Sequence, residues 1–150
     1  MTAPRHIGHI LLSLILLTLF TASCSRDGEI TCYEDITDPE GWYERDTIYL
    51  RPDTVTTAGT YQCDITIRTT VAYPYSNFSV LAKVEGSQER HTLHFNISEG
   101  CTPYHEEQAT LGQLSLQKGA AIVVAVKQNM RRETVPGIAA VGLRLVKVGE

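Results

Sequence analysis

The chain has few cysteines, few aromatic rings and no excess of positive charge. Of its 150 residues, four are Cys, one is Trp, and the formal net charge is −4. The acidic balance argues against nucleic acid as a partner, because contact with a phosphate backbone calls for a basic surface. No two cysteines stand two to four residues apart, so the sequence offers no thiolate zinc site.

Signatures of catalysis are also missing. No serine lies in a G-x-S-x-G elbow, and no glycine-rich loop for a phosphate or a dinucleotide follows a strand pattern. His91 and His94 form an H-x-x-H motif in a strand pattern, where residues three apart point to opposite faces and cannot share a metal. The H-E-E sequence at residues 105–107 falls in a polar segment, residues 100–110, which predicts a solvated, mobile loop. We therefore expect no enzyme activity, no catalytic residue, no metal and no cofactor.

The amino terminus has the pattern of an export signal. A short basic stretch precedes the apolar run Ile10–Phe20, which is long enough for a signal core but short for a membrane span. Small residues then lead into Cys24, where a lipoprotein signal peptidase would cut after diacylglycerol is attached to the thiol. We predict that residues 1–23 are removed and that Cys24 becomes a lipidated amino terminus. The alternative is an ordinary secretory signal cut just before Cys24, which would then carry a free thiol.

Lipid on Cys24 would hold the chain on a membrane of the bacterial cell envelope. Two or more acyl chains bury enough methylene groups, at about 0.8 kcal/mol each, to make a firm anchor. Residues 1–23 contain one Arg, Arg5, and no Lys, Asp or Glu. Their removal therefore leaves 12 basic residues, counted as Lys and Arg, against 17 acidic ones. Acidic residues at positions 25–29 favour the outer membrane, whereas the leaflet and the side that the domain faces stay open.

Three cysteines remain once Cys24 is assigned to the lipid: Cys32, Cys63 and Cys101. An exported chain meets an oxidising compartment, so a disulfide is possible. At most one can form among three thiols, and the sequence does not choose among the three pairings.

The mature chain divides into a tether and one β domain. Residues 24–41 are polar and acidic and predict a flexible tether with a reach of roughly 20–25 Å; an edge strand around Ile30–Tyr33 is the alternative. From Trp42 onward, apolar residues alternate with polar ones, most clearly over residues 61–71, and Gly and Pro mark the turns. This pattern indicates seven or eight antiparallel strands and no sizeable helix. We predict an all-β, two-sheet sandwich of jelly-roll-like order over residues 42–150.

Several aromatic residues stand where a core strand does not require them. Trp42 and Tyr43 precede the first strand pattern of the domain, and Tyr73 and Tyr75 flank Pro74 in a turn. Exposed rings could receive a protein partner or stack on a glycan. The alternative is structural: Trp42 would close one open end of the sandwich, and Tyr73 would pack beside Pro74.

Four segments carry a family resemblance. They are W-Y-E-R-D at residues 42–46, V-A-Y-P-Y-S-N at 71–77, M-R-R-E at 130–133 and G-I-A-A-V-G-L-R-L at 137–145. In this order, and over nearly all of the mature chain except a divergent stretch at 85–119, the sequence resembles the gliding-motility lipoprotein H (GldH) family of Bacteroidota. The resemblance implies a lipid-anchored envelope component associated with gliding motility and its linked secretion apparatus, with no catalytic residues to carry over.

Two functions follow as expectations. In the first, the sandwich is a component or assembly factor that docks envelope proteins of a motility or secretion apparatus, through a sheet face or through the turn at Tyr73–Tyr75. In the second, it is a carbohydrate-binding surface lipoprotein. Exposure of Trp42, Tyr73 and Tyr75 side by side would favour glycans, and burial of all three would count against them.

Overall fold

Alternating apolar and polar residues form β-strands throughout residues 28–98 and 103–149, the part of the chain described by a computed structural model. The predicted signal peptide, Cys24 and Cys101 lie outside these residues. The strands are β1 Glu29–Asp35, β2 Trp42–Tyr43, β3 Thr47–Leu50, β4 Gly59–Thr70, β5 Asn77–Val84, β6 His91–Asn96, β7 Tyr104–Leu116, β8 Val124–Gln128, β9 Thr134–Val135 and β10 Ile138–Gly149. Among the described residues there is no helix that is long and apolar enough to cross a membrane.

Two four-stranded antiparallel sheets enclose the core. The first sheet has the order β1-β10-β4-β7 and the second has the order β3-β8-β5-β6, while β2 and β9 form a separate pair. With β2 and β9 set aside, the first of eight strands pairs with the eighth, the second with the seventh, the third with the sixth and the fourth with the fifth. This nested pairing is the order of a jelly roll. The predicted all-β, two-sheet, jelly-roll-like sandwich is confirmed.

The core is filled by alternate residues of the longest strands. In the first sheet, Ile65 of β4 lies opposite Leu143 of β10, and the second sheet contributes Phe78 and Phe95, whose ring centroids are 6.4 Å apart. All four side chains are at most 2% exposed. Burial of an apolar side chain of this size contributes about 1.5–3 kcal/mol, so this shared layer holds the two sheets together.

The tether prediction is wrong for Glu29–Asp35, which form β1 at the edge of the first sheet and pair with β10 along their whole length. Ile30 and Cys32 are partly buried against the core. The acidic residues of the strand lie on its outer face or near its end, and only two apolar side chains mark its inward face. The edge strand that the sequence left as an alternative is therefore present, and the sandwich begins near residue 28 rather than at residue 42.

Tyr33 crosses the outer face of the first sheet. A methyl group on Gly142 would lie 2.5 Å from Cε1 of Tyr33, so the ring passes directly over this glycine of β10. The Tyr33 hydroxyl donates to the Glu106 carboxylate of β7 at 3.3 Å, and Arg68 of β4 lies 4.8 Å from the ring centroid. Arg68 in turn donates to Glu106 at 2.9 Å. One tyrosine of the edge strand thus contacts groups on the three other strands of the sheet.

An ion-paired cluster fixes the beginning of β1. Arg144 of β10 donates through Nε to the Glu29 carboxylate at 2.8 Å, and a terminal nitrogen of Arg144 lies 3.6 Å from Asp64 of β4. Asp64 is only 4% exposed and also accepts a hydrogen bond from Thr110 at 2.8 Å. A carboxylate this buried is tolerated when charges and donors surround it. Side chains of four strands therefore meet on this face.

The predicted loop over residues 100–110 is wrong from Tyr104 onward, because Tyr104–Leu116 form the edge strand β7, paired with β4. Side chains at 105–107 alternate between the two faces: Glu106 binds Arg68, whereas Glu107 accepts from Ser98 at 2.9 Å. The H-E-E sequence therefore does not converge on one point. Among the described residues, no group of three or more His, Cys, Asp or Glu side chains is arranged to hold a metal ion.

Cys32 and Cys63 are both free thiols. They lie on β1 and β4, which are separated by β10, so the sheet order keeps the two residues apart. Burial raises the pKa of the Cys63 thiol to about 12, and it raises that of Cys32 as well. A thiol whose pKa is raised by burial in the folded protein is a poor nucleophile. The pairings that involve Cys101 fall outside the described residues.

Candidate docking surface

Three segments far apart in the sequence meet at one end of the sandwich. β2 pairs with β9, with Trp42 opposite Val135 and Tyr43 opposite Thr134. The backbone N–H of Thr70, at the end of β4, donates to the Gly137 carbonyl at 2.8 Å. We call this region the tyrosine end and define it as Trp42–Tyr43, residues 71–76 and residues 129–137. The four segments that carry the family resemblance all contribute to it or run into it.

Gly137 allows two of these segments to touch. Its φ is +77°, and a methyl group at this position would lie 2.4 Å from the backbone nitrogen of Tyr73. A side chain would therefore be excluded both by the backbone conformation and by the neighbouring main chain. The turn before β10 can pack against the loop at Tyr73 because residue 137 is glycine.

A row of aromatic rings leads from the core to the surface of the tyrosine end. Trp42 lies 5.9 Å from Phe78, Phe78 lies 6.0 Å from Tyr73, and Tyr73 lies 5.4 Å from Tyr75, all between ring centroids. Trp42 is 1% exposed and donates through Nε1 to the Asp46 carbonyl at 3.3 Å. Trp42 has no free face for a partner or a glycan, so its predicted contact role does not hold, and the structural alternative is the observed one.

Tyr73 and Tyr75 are half-buried at the outer end of the row. The Tyr73 hydroxyl donates to the Asn77 carbonyl at 2.6 Å, and burial raises its pKa. Tyr75 meets the edge of Tyr73 at an interplanar angle of 81°, and the Arg132 guanidinium lies 4.9 Å from the Tyr75 ring centroid. Tyr73 is thus fixed in place, and Tyr75 is held between a ring and a cation.

The turn that carries Arg132 is ordered by a buried glutamine that the sequence analysis did not identify. Gln128 is 2% exposed; its amide nitrogen donates to the Arg132 carbonyl at 2.6 Å, and its amide oxygen accepts from the Met130 N–H at 2.8 Å. Arg131, within this turn, has a positive φ of 54°, which is uncommon for a residue other than glycine. A glutamine at an inward position of an apolar strand was the available signal, since such a residue must find buried partners.

Tyr43 is half-buried at the tyrosine end, next to Trp42 in β2. Its hydroxyl donates to the Glu40 carboxylate at 2.5 Å, and this hydrogen bond raises the pKa of Tyr43 to about 12. The Arg45 guanidinium lies 4.5 Å from the ring centroid and covers one face of the ring. Tyr43, Tyr73 and Tyr75 all lie at the tyrosine end, as the sequence analysis grouped them, but their rings do not form one flat platform.

A cleft of about 500 Å³ lies beside the loop, lined by Val71, Tyr73, Tyr75, Ile97 and other residues. Val71 is 77% exposed, and Tyr104, which pairs with Thr70, is 56% exposed. Val71, one of the most exposed large apolar side chains of the described residues, therefore lies beside the half-buried tyrosines, whereas Tyr104 lines a separate cleft with Gly137. A surface of rings, aliphatic groups and an arginine has the composition of the central part of protein interfaces.

Comparison with known proteins assigns the chain to a family. The model of the GldH lipoprotein family matches residues 30–145, which include almost the whole sandwich and all four resemblance segments. The chain belongs to the GldH lipoprotein family. Membership identifies it as a lipoprotein related to gliding motility, anchored by lipid in the cell envelope. A search of curated proteins finds no significant match.

Solved structures match the chain at low similarity. The globular domain of zebrafish complement 1qA has 10% identity and a TM-score of 0.45, covering 82% of this chain and 98% of that chain. A family 35 carbohydrate-binding module from Clostridium thermocellum has 14% identity and a TM-score of 0.45, covering 80% and 92%. A carbohydrate-binding module of Cellvibrio mixtus lichenase 5A, in complex with cellotriose, has 15% identity and a TM-score of 0.43, covering 79% and 87%. Likenesses at this level carry no inference about ligands, and the jelly-roll order stands on the strand pairing of the chain itself.

Proposed function

We propose that this protein is a non-catalytic component or assembly factor of the gliding-motility machinery and its linked secretion apparatus. It is attached to the outer membrane through lipid on Cys24 and docks an envelope protein of that apparatus at the tyrosine end. The acidic residues that follow Cys24 support the outer membrane over the inner one. Family membership supports the link to motility.

One observation carries the docking surface: the tyrosine end holds Tyr75 and Arg132 in fixed positions at the surface. Tyr75 packs against Tyr73, whose hydroxyl is hydrogen-bonded, and the Arg132 backbone is tied to buried Gln128. Rings and arginines that are ordered before binding lose little conformational entropy on association. They are also the residue types that contribute most to protein interfaces.

In-cell crosslinking tests this proposal. An affinity-tagged full chain is crosslinked in its native envelope, and the captured proteins are identified by mass spectrometry against a tagged, unrelated lipoprotein. Replacement Tyr75→Ala should lower recovery of motility or secretion proteins without altering folding. The matched control is Tyr49→Ala, since Tyr49 also lies under an arginine, with the Arg51 guanidinium 5.3 Å from its ring centroid, but belongs to β3 outside the tyrosine end. Equal recovery from the two variants would remove the tyrosine end as the docking site.

The anchor has its own test. Replacement Cys24→Ser removes the thiol that takes the diacylglycerol, so the protein should move from the outer-membrane fraction to the soluble fraction. Mass spectrometry of the purified protein should find acyl groups on Cys24 of the wild type. Unchanged fractionation of Cys24→Ser would contradict lipid anchoring at this residue.

Carbohydrate binding is the second candidate function, supported by the open cleft beside Tyr73 and Tyr75. The ring geometry disfavours it, because Trp42 is buried and the two tyrosine planes are 81° apart. Sugar rings stack on flat, exposed faces, and neither tyrosine shares its plane with the other. Pull-downs on envelope polysaccharides would decide: retention that is lost in Tyr75→Ala would favour the glycan role, and no retention would eliminate it.

A further inference from the structure

The chain enters the sandwich at the end opposite to the tyrosine end. β1 runs from Glu29 to Asp35, and the N–H of Lys147 donates to the Gly28 carbonyl at 2.9 Å, close to the end of β10. We call this opposite region the Gly28 end; it comprises Gly28, residues 117–119 and residues 147–149. β4 has 12 residues from the Gly28 end to the tyrosine end, which at roughly 3.3 Å per residue makes the ends about 36–40 Å apart.

The link between the lipid and the sandwich is short. Only residues 25–27 lie between Cys24 and Gly28, and four Cα–Cα steps span at most about 14 Å when fully extended. The headgroup layer on each side of a bilayer is itself about 5–7 Å thick. Lipid on Cys24 therefore keeps Gly28 at or just above the headgroups.

β1 cannot easily detach to lengthen this link. Glu29 is ion-paired with Arg144 at 2.8 Å, and Tyr33 lies over Gly142 with its hydroxyl on Glu106. Separation of β1 from the sheet would break these contacts together with the backbone ladder to β10. Because β1 stays on the sheet, the position of the anchor determines the position of the whole domain.

We propose that the domain stands upright on phospholipid headgroups, with the Gly28 end against the lipid and the tyrosine end facing away into the aqueous compartment. This orientation rests on the proposed anchor at Cys24. The Gly28 end suits a headgroup surface: Lys118 is exposed, Lys147 lines a shallow cleft with Gln117, and Val148 is 50% exposed. Lysine ammonium groups pair with lipid phosphates, and an exposed aliphatic side chain can enter the interfacial layer. The partner that docks at the tyrosine end is then met about 36–40 Å above the lipid, not within it.

Energy transfer from tryptophan to the bilayer tests this orientation. The lipidated full chain is placed in vesicles of phosphatidylethanolamine and phosphatidylglycerol that contain dansyl-phosphatidylethanolamine as the acceptor. Trp42 is the single tryptophan of the chain and lies at the tyrosine end. The combined replacement Trp42→Phe and Val148→Trp moves the donor to the Gly28 end. Transfer from residue 148 should exceed transfer from Trp42 several-fold, and equal transfer from the two donors would overturn the proposal.

Two further variants keep the result interpretable. If Trp42→Phe lowers stability, Val148→Trp alone is compared with the wild type, and the added transfer then reports residue 148; no added transfer overturns the orientation. Insertion of about ten Gly and Ser residues after Arg26 should lower the transfer from residue 148, because a flexible tether of that length frees the domain. Undiminished transfer would show that the short link does not hold the domain.

Failure of the anchor can be told apart from failure of the orientation. If the wild-type chain stays off the vesicles, or if Cys24→Ser binds them equally well, the proposed anchor at Cys24 is wrong. The upright orientation, which rests on that anchor, is then overturned as well. If the wild type binds and Cys24→Ser does not, but both donors transfer equally, the anchor stands and the upright orientation alone is wrong.

Discussion

Turns at the two ends of the sandwich share one backbone conformation but differ in the space around it. Gly137 at the tyrosine end has a φ of +77°, and Gly119 at the Gly28 end has a φ of +81°. Around Gly119 there is open space, with no atom within 4 Å of where a methyl group would be, whereas Gly137 lies against the main chain of Tyr73. Both turns bind a distant segment, since the Gly119 N–H donates to the Val55 carbonyl at 2.7 Å. Only at Gly137 do the two main chains approach too closely for a side chain to fit.

This difference shows that the main chain is packed more closely at the tyrosine end. The tyrosine end contains a row of four rings from Trp42 to Tyr75. Near the Gly28 end, the ion pair between Arg144 and Glu29 holds the beginning of β1 on the sheet. Residues at the tyrosine end are therefore more sensitive to substitution than residues in the open turns. Substitutions ranked by expected effect can test that conclusion.

The largest effect is expected from Trp42→Ala. Trp42 is 1% exposed and packs on Phe78, so its truncation should lower the free energy of unfolding by about 3–5 kcal/mol. Tyr43→Ala, at the adjacent and more exposed position, should cost about 1 kcal/mol or less. Equilibrium unfolding in guanidinium chloride measures both. A cost for Trp42→Ala no larger than that for Tyr43→Ala would mean that the ring row is not what stabilises this end.

The next effect separates the two glycine turns. Gly119→Ala should cost about 1–2 kcal/mol, the penalty of an L-residue at positive φ. Gly137→Ala adds a clash with the Tyr73 backbone, and overpacking of this kind costs a further 1–3 kcal/mol or so. The thermal midpoint of Gly137→Ala should therefore fall clearly below that of Gly119→Ala. Similar midpoints would show that the loop at Tyr73 yields easily and that the two ends do not differ in rigidity.

The strands that the sequence predicted well are those with one fully apolar face. In β4, Tyr61, Cys63, Ile65 and Ile67 alternate with polar residues, and all four are at most 1% exposed. This periodicity made the sandwich and its strand positions predictable. The sequence supported the jelly-roll order only as the preferred topology. Periodicity shows which face of a strand is buried, but not which strands lie next to it.

Periodicity did not predict the two edge strands β1 and β7. Their outward side chains are polar or acidic, and each packs only a narrow inward face, so the composition resembled that of a tether or a loop. What makes them strands is pairing with β10 and β4, which are distant in sequence. The same limit applies to the candidate site: Tyr73 and Tyr75 were identified from their turn, but the burial of Trp42 and the role of Gln128 depend on tertiary contacts.

A smaller effect is expected from Gln128→Leu. The leucine fits the inward position but leaves the Arg132 carbonyl and the Met130 N–H without their partners. Loss of partners for buried groups costs roughly 1–3 kcal/mol each, reduced here where water reaches the turn, so about 2 kcal/mol is expected. Gln113→Leu, at an exposed position of β7, should change stability by no more than about 0.5 kcal/mol. Equal effects would mean that Gln128 does not organise the turn that carries Arg132.

The smallest effect is a pH dependence that belongs to Tyr43. In the folded protein, the hydrogen bond to Glu40 raises the pKa of the Tyr43 hydroxyl to about 12 from an ordinary value of 10.0. A raised tyrosine pKa favours the folded state while the phenol is protonated. The contribution is therefore complete below pH 10 and is lost as the pH rises toward 12. An ultraviolet titration of phenolate formation should show one ionisation fewer between these values in the wild type than in Glu40→Gln, where the neutral amide lacks the carboxylate charge. Identical titration curves would mean that the hydrogen bond is absent in solution, and Tyr43 would then be a freer ring at the tyrosine end than the structure indicates.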